Sequence, residues 1–543
     1  DGLARDRPRV VLPLQHRRRR RRARRSDGKS CDSVRDQLKL QVDTGTISAS
    51  TPDEPSQHLL QRLTLPDRFE GLQEKLGLDY RRILVPSDKR IKDKLFLIAE
   101  SIRSRREGTL IPLAGGTGVG KTTFAFSLDV LGPKYFTATE RFEGMITLAG
   151  LNQKVRDALA KRPGDGEIIV PIVIDRESEP PSETELAELR RFFRAPHLGQ
   201  RCILLWPDPQ EPRAREVARA FSTVAGEPVV DLPVVVEGPP RETWAEIAAS
   251  TIEAVNDVTA DELGIDLASY NLNEAATIGG FLRKVSTSFN QRRVDLLGRL
   301  EKPVSVAFLF ASESTDAGIL STFTRHRNFG YLEARSLLDI SANSALGKWW
   351  SRKPGLLQNA ILQLEARAYC IPPSVTVRAL RTFGAAIPEL DFLKAGWRAS
   401  TTEFIKTLGN SDFGWYLANK HRSASETRGF PATAAVDAFA QIATAYGFES
   451  GRDKALNRVM GSAFDTYLKQ LNAGEQAAVK IEKSLGFCNI TPDVSFHYPD
   501  VVRTAEFAWW GGAGLDRANR ARCAQYILKK LRDYIEQLGW QAD

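Results

Sequence analysis

Residues 109–122 read Thr109-Leu110-Ile111-Pro112-Leu113-Ala114-Gly115-Gly116-Thr117-Gly118-Val119-Gly120-Lys121-Thr122: a short apolar run, a glycine-rich turn and the start of a helical pattern. The last eight fit the spacing G-x-x-x-x-G-K-[ST] in the strand–turn–helix setting that gives it meaning. Glycines there admit positive φ and let backbone N–H groups converge on an anion without Cβ interference. With the positive end of the following helix, those donors make a phosphate site. Lys121 adds a point charge for β- and γ-phosphates, and the Thr122 hydroxyl is a ligand for Mg²⁺. Gly115, Gly116, Thr117, Gly118, Val119, Gly120, Lys121, Thr122 and Thr123 are therefore expected to cradle ATP with Mg²⁺. A chance glycine-rich turn does not explain why all four fixed positions fall in that setting.

Outward from the loop, apolar runs recur at 168–174, 202–206, 229–236 and 304–310, with helical stretches at 121–131, 182–194 and 213–224 between most of them. Strands alternating with helices predict an α/β core with a mainly parallel sheet covered on both faces. Upstream, 89–106 places Ile91, Leu95, Ile98 and Ile102 on one helical face. Beyond 330 the pattern is helix-dominated and ends in a helix striped by Cys523, Ile527, Leu531, Tyr534 and Leu538, with Gly539 as its stop. The expected organisation is a disordered basic leader and linker over 1–60 and a helical segment over 61–108. A nucleotide-binding core over 109–250 follows, then a helical lid with an additional strand over 251–330, and a mainly helical region over 331–543.

A carboxylate at the end of a neighbouring strand is needed to hold Mg²⁺ through water. Asp175, which follows the run 168–174, fits that role. The plainer reading is a strand cap. Glu177 is the nearest group to polarise an attacking water, since Arg176 occupies the place beside Asp175. Asp208, after the run 202–206, is read as an ordinary turn residue, because a carboxylate repels a γ-phosphate unless protonated or metal-bound.

The order of these features resembles the AAA+ and STAND-type P-loop ATPases over residues 85–300. The stretch from Leu113 to Ala125 is similar to their phosphate loop and first helix, and Ile172-Val173-Ile174-Asp175 to their second nucleotide motif. The strand at 201–206 is placed like their sensor strand. Val230-Asp231-Leu232-Pro233 and the helix beginning near Arg241 resemble the segment leading to their helical lid. The resemblance implies a P-loop NTPase core with ATP and Mg²⁺ as cofactors. Two departures stand out: Arg176 replaces the adjacent acid, and neither Asn nor Thr fills the sensor position. Arg292 and Arg293 are candidates for an arginine finger, or for a solvated helix face.

Two other readings compete. Asp175-Arg176-Glu177-Ser178 resembles the substrate element of nucleoside kinases, with Arg190, Arg191 and Arg194 as lid arginines or simply an exposed helix face. The length beyond 330 suits a regulated ATPase better. In the C-terminal part, Pro499-Asp500 and Glu506 on an expected strand pair, 494–502 and 504–510, resemble the PD-(D/E)XK nuclease motif. There Ala508 stands where the lysine belongs, and Lys529 or Lys530 is left to substitute. Trp349-Trp350 beside Lys348, Arg352 and Lys353 reads either as a basic–aromatic nucleic-acid surface or as buried aromatics beside a solvated turn.

Composition narrows the class. The chain has 543 residues and a formal charge of +9, and residues 1–30 alone carry twelve basic and three acidic side chains. Residues 31–543 therefore hold 64 of each sign, which excludes a uniformly basic nucleic-acid-coating protein. Nucleic acid is left as a partner for the basic leader alone, and that leader reads first as a solvated tail, because charge blocks of this length stay unfolded and repel. No apolar run approaches the ~18–20 residues of a membrane span, so no membrane partner is expected. Five scattered cysteines without a CxxC pair, and six dispersed histidines, point to reduced thiols in a cytoplasmic protein without a zinc site. Expected partners are ATP and an unidentified protein or a second copy of the chain. No Asn-Lys-x-Asp guanine motif is present, which leans towards ATP.

Overall fold

A computed structural model describes residues 57–77, 89–162, 167–175, 180–225, 227–313, 318–325, 330–394, 400–420, 433–449, 451–471, 477–512 and 519–540. The leader and linker expected over 1–60 lie outside them except for 57–60. Those four residues are packed: His58 caps the helix Leu59–Arg62, and Leu59 and Leu60 are buried.

The first sheet consists of β1 (Thr109–Ala114), β2 (Glu140–Glu143), β3 (Val170–Asp175), β4 (Cys202–Asp208) and β5 (Val234–Val235), ordered β2-β3-β4-β1-β5. Every pairing in it is parallel, which demands crossover connections, here supplied by helices such as Leu148–Ala160, Glu183–Phe193 and Glu211–Ala225. Side chains alternate between two cores, as the pleat requires. Ile111, Leu113, Val173 and Leu205 face the helix Lys89–Arg105 through Leu95, Ile98 and Ile102. Leu110, Ile172, Ile174 and Leu204 face Val155, Leu189 and Val217 on the opposite side. Pro112 and Pro171 each sit one position before the pairing with β5 or β2 begins, so their missing N–H groups leave those ladders intact.

The run at 304–310 is a strand, β6 (Val304–Ala311), but it belongs to a second sheet. That sheet adds β7 (Arg367–Ile371), β8 (Ala478–Ile481), β9 (Val494–His497) and β10 (Val502–Trp509) in the order β7-β6-β10-β9-β8. β6 pairs parallel with both β7 and β10, while β9 is antiparallel to β8 and β10. All eight residues of β6 are buried because both faces are covered. One face meets the helices Pro354–Gln363 and Arg520–Leu538, the other Pro373–Phe383 and Asp453–Gln470. The chain is thus α/β, with a P-loop core followed by a largely helical region built on this second sheet. Gly539 ends the last helix in the left-handed conformation (φ 67°), where a side chain would be strained. No helix of the described residues is long and apolar enough to cross a membrane.

Candidate nucleotide site

β1 delivers the chain into the loop 115–120, and the helix Lys121–Phe126 leaves it with Gly120 as N-cap. Gly118 and Gly120 have φ of 84° and 98°, values glycine reaches without strain. A Cβ on Gly118 would stand 2.9 Å from Thr277 Oγ1. The loop is that tightly clasped by the start of the helix Ile278–Leu297, whose Gly279 N–H donates to Gly118 O at 2.9 Å.

Lys121 is half-buried and donates to Gly116 O at 3.1 Å and to Gly115 O. Burial pulls its pKa below the ordinary lysine value, opposed by the Asp208 carboxylate. Asp208 is therefore no idle turn residue. Its carbonyl accepts the Gly115 N–H at 3.2 Å, and Ala114 lies opposite it in the β1–β4 register. Its buried carboxylate takes a guanidinium fork from Arg213, with Nε–Oδ2 at 2.9 Å and Nη2–Oδ1 at 3.0 Å. That pairing answers the objection of charge repulsion, because the carboxylate arrives already neutralised. Sequence spacing holds a clue to it, since Arg213 follows five residues later on the next helix.

Asp175 closes β3, one strand further from the loop than Asp208, with half of its side chain exposed. Arg141 Nη1 donates to its Oδ2 at 2.9 Å. Glu177 and Arg176 lie outside the described residues. Thr117 through Thr123 line a cavity of about 430 Å³, together with Phe69, Ile247, Thr251 and Leu282 and the charged side chains of Asp67, Arg68, Glu70 and Arg283. The contribution of Phe69 and its neighbours went unnoticed in the sequence, where they carry no motif. The donors fit the expected groups. Glycine amides and an ammonium suit phosphate, and a hydroxyl and a carboxylate are the hard oxygen ligands Mg²⁺ takes.

Several other candidates make contacts within the fold. Arg292 donates to Leu263 O and Asn359, and Arg293 to the carbonyls of Gln61 and Leu63, so both tie elements together. Arg191 and Arg194 pair with Glu188 and Glu107 on the surface. Trp350 is fully buried with its indole N–H on Leu528 O, and Lys353 stacks over Trp349.

The C-terminal acids rearrange more thoroughly. Asp500 is exposed in the bend between β9 and β10, so the expected pairing of Pro499-Asp500 with Glu506 does not form. Strand register, with Val494 opposite Ala505, instead sets Asp493 of Pro492-Asp493 across from Glu506. Directly opposed residues of an antiparallel pair share a face. Glu506 is 1% exposed, is paired by Lys530 at 2.6 Å and accepts the Tyr534 hydroxyl. Asp493 accepts the Phe507 N–H at 2.7 Å. Burial and then the Glu506 charge push its pKa up to about 8, against the Phe507 hydrogen bond and Lys530. Among the described residues, no group of three or more His, Cys, Asp or Glu is arranged to hold a metal.

No protein-family model matches the chain, and no curated protein matches it in sequence. Solved structures similar to it include two mutants of RuvB from Thermotoga maritima. One has 15% identity and a TM-score of 0.24, covering 50% of this chain and 88% of that one. The other has 16% identity and a TM-score of 0.25, covering 53% and 92%. A third is the Thermotoga maritima RuvB Holliday junction branch migration motor, with 13% identity, a TM-score of 0.23 and coverage of 63% and 99%. Likenesses this distant bear no weight beside the strand order and the loop.

Proposed function

We propose that the chain is an ATP-binding P-loop ATPase that uses nucleotide binding and hydrolysis as a switch or motor for its C-terminal region. The observation that carries this reading is the glycine loop, held in left-handed conformations between β1 and Lys121 and opening onto an apolar cavity. The cavity's size falls within the range of about 300–1,000 Å³ usual for small-molecule sites, and Thr117–Thr123 line it. Lys121 neutralises phosphates, Thr122 and Asp175 hold Mg²⁺ directly or through water, and Glu177 orients the attacking water. Mg²⁺, when bound, supplies charge stabilisation on the phosphates. The purified full chain should turn over ATP with Mg²⁺ and no added acceptor. Phosphate transfer seen only when a nucleoside is supplied would favour a kinase instead.

A second reading is favoured by one observation: Glu506 on β10 has Asp493, just before β9, and Lys530, on the last helix, beside it. Two carboxylates beside a lysine are what the PD-(D/E)XK resemblance asks for, with Lys530 on the last helix replacing the lysine that Ala508 lacks. On this reading the ATPase drives a nuclease. Metal-dependent DNA cleavage should then be lost in Asp493→Asn and Glu506→Gln and kept in Asp500→Ala; cleavage surviving in the first two would exclude it.

Asp493 also makes a stability prediction independent of activity. Its proton is held in the fold from the ordinary aspartate value near ~4 up to about 8. The folded state binds more protons across that window, so stability falls as pH rises through it. Asp493→Asn should melt higher than wild type at pH 8.5 and much closer to it at pH 4. Parallel melting curves at the two pH values would contradict the raised pKa.

A further inference from the structure

The acid assigned to Mg²⁺ is already engaged, and its partner leads away from the site. Arg141, on β2, donates from Nη1 to Asp175 at 2.9 Å and reaches Glu70 from Nη2 at 3.6 Å. Its guanidinium lies 5.5 Å from the Phe126 ring centroid. Phe126 stacks on Phe69 with centroids 4.9 Å apart, and Phe69 lines the nucleotide cavity. Glu70 and Phe69 open the helix Phe69–Leu76.

The strand of chain before that helix runs to the second sheet and is tied along its length. Asp67 pairs with Arg283 at 3.0 Å, and Thr64 exchanges two 2.8 Å hydrogen bonds with Asn256. At the far end the Leu59 N–H donates to Glu365 at 3.2 Å, and Arg62 stands 3.5 Å from the same carboxylate. Glu365 in turn holds Ser305 on β6 and Arg367 on β7, each at 2.7 Å. Residues 58–70 therefore form a strap that reaches Arg141, and through it Asp175, with Glu70, and is held by Glu365 at its other end.

We propose that Arg141 is a positioning residue that reports the state of Asp175 to this strap, so that Mg·nucleotide is felt at β6 and β7. The proposal rests on the reading of Gly115–Thr122 and Asp175 as the Mg·nucleotide site. A dication arriving beside Asp175 competes for its carboxylate and repels the guanidinium. Glu70 is the carboxylate then left for Arg141, and it sits on the strap. Phe69, which lines the nucleotide cavity, belongs to the same helix as Glu70. Half-exposed ion pairs of this kind shift an equilibrium by only a few-fold, and coupling between two sites must be equal in both directions.

The test uses the full chain and compares ATP with Mg²⁺ against ATP with EDTA, following affinity by fluorescence and amide hydrogen exchange along the chain. In wild type, adding Mg²⁺ should change exchange in 57–65 as well as in 115–123. Arg141→Ala should raise the Mg²⁺-dependent part of the ATP affinity by about two- to fivefold, because Asp175 is freed. It should abolish the response at 57–65 while leaving the one at 115–123. Arg141→Lys should restore the response at 57–65 and bring the affinity back towards wild type, and Glu70→Gln should lose the response at 57–65 alone. ATP binding in wild type without any change at 57–65 overturns the proposal by itself. An Mg²⁺-dependent affinity within twofold of wild type in Arg141→Ala, with 57–65 still responding, overturns it equally. A wild type that binds no ATP removes the nucleotide reading and this proposal together.

Discussion

Lys121→Ala should abolish Mg²⁺-dependent ATP binding, measured by titration of a fluorescent ATP analogue into the purified full chain. The ammonium is the charged donor of the loop, and it now rests on the carbonyls of Gly115 and Gly116. Phosphate oxygens are stronger acceptors than those carbonyls, and charge-assisted hydrogen bonds are about twice as strong as neutral ones. Burial has already lowered the Lys121 pKa, so part of its hydration is gone before any ligand arrives. An alanine removes this charge and keeps the loop glycines, so the fold should survive, with melting close to wild type in the absence of nucleotide. Affinity should fall at least about a hundredfold, the loss of roughly 3 kcal/mol expected for a desolvated charged hydrogen bond. Unchanged ATP affinity would remove the assignment of 115–123 as a phosphate site. Asp208→Asn belongs beside it as a comparison, because Asp208 supports Lys121 electrostatically without carrying the loop.

The phosphate loop was legible because its chemistry needs specific residue types at consecutive positions. Helix Lys89–Arg105 and helix Arg520–Leu538 were legible because one buried face imposes a period near 3.6. The partner of a strand is another matter. β6 lies beside β10, nearly two hundred residues later, and a run buried on both faces looks the same in either sheet. The Pro-Asp pair shows the same limit. Pro492-Asp493 and Pro499-Asp500 sit seven residues apart around one strand, and only the register Val494–Ala505 decides which acid faces Glu506. Arg141, Glu70 and Phe69 left no trace at all, since a contact between an arginine and an acid 34 positions on has no local signature.

Glu365→Ala should destabilise the fold by about 3–5 kcal/mol, the cost of removing one member of a buried ionic network. Glu365 is 4% exposed, and its carboxylate is where Arg367, Arg62, His58, the Leu59 N–H and Ser305 converge. Burial alone would raise its pKa, but Arg367, His58 and Arg62 outweigh it and hold the group well below the usual carboxylate range. His58 is shifted down as well, by burial, against the pull of Glu365. Both shifts have the same sign for stability. A depressed acid contributes above the unfolded value near ~4 and loses that contribution as pH falls towards its folded pKa. A depressed histidine resists protonation, so stability also drops as pH falls below about 6.5. The strap should accordingly be acid-labile in wild type. Glu365→Gln, which keeps hydrogen-bonding capacity but not the charge, should lose less than alanine at pH 7 and show a flatter loss between pH 5 and 3. Thermal melting of the three proteins across that range checks the order. A Glu365→Ala protein that melts within a degree or two of wild type at pH 7 would mean that the strap is not anchored by this carboxylate, and the route from Asp175 to the second sheet would lose its far end.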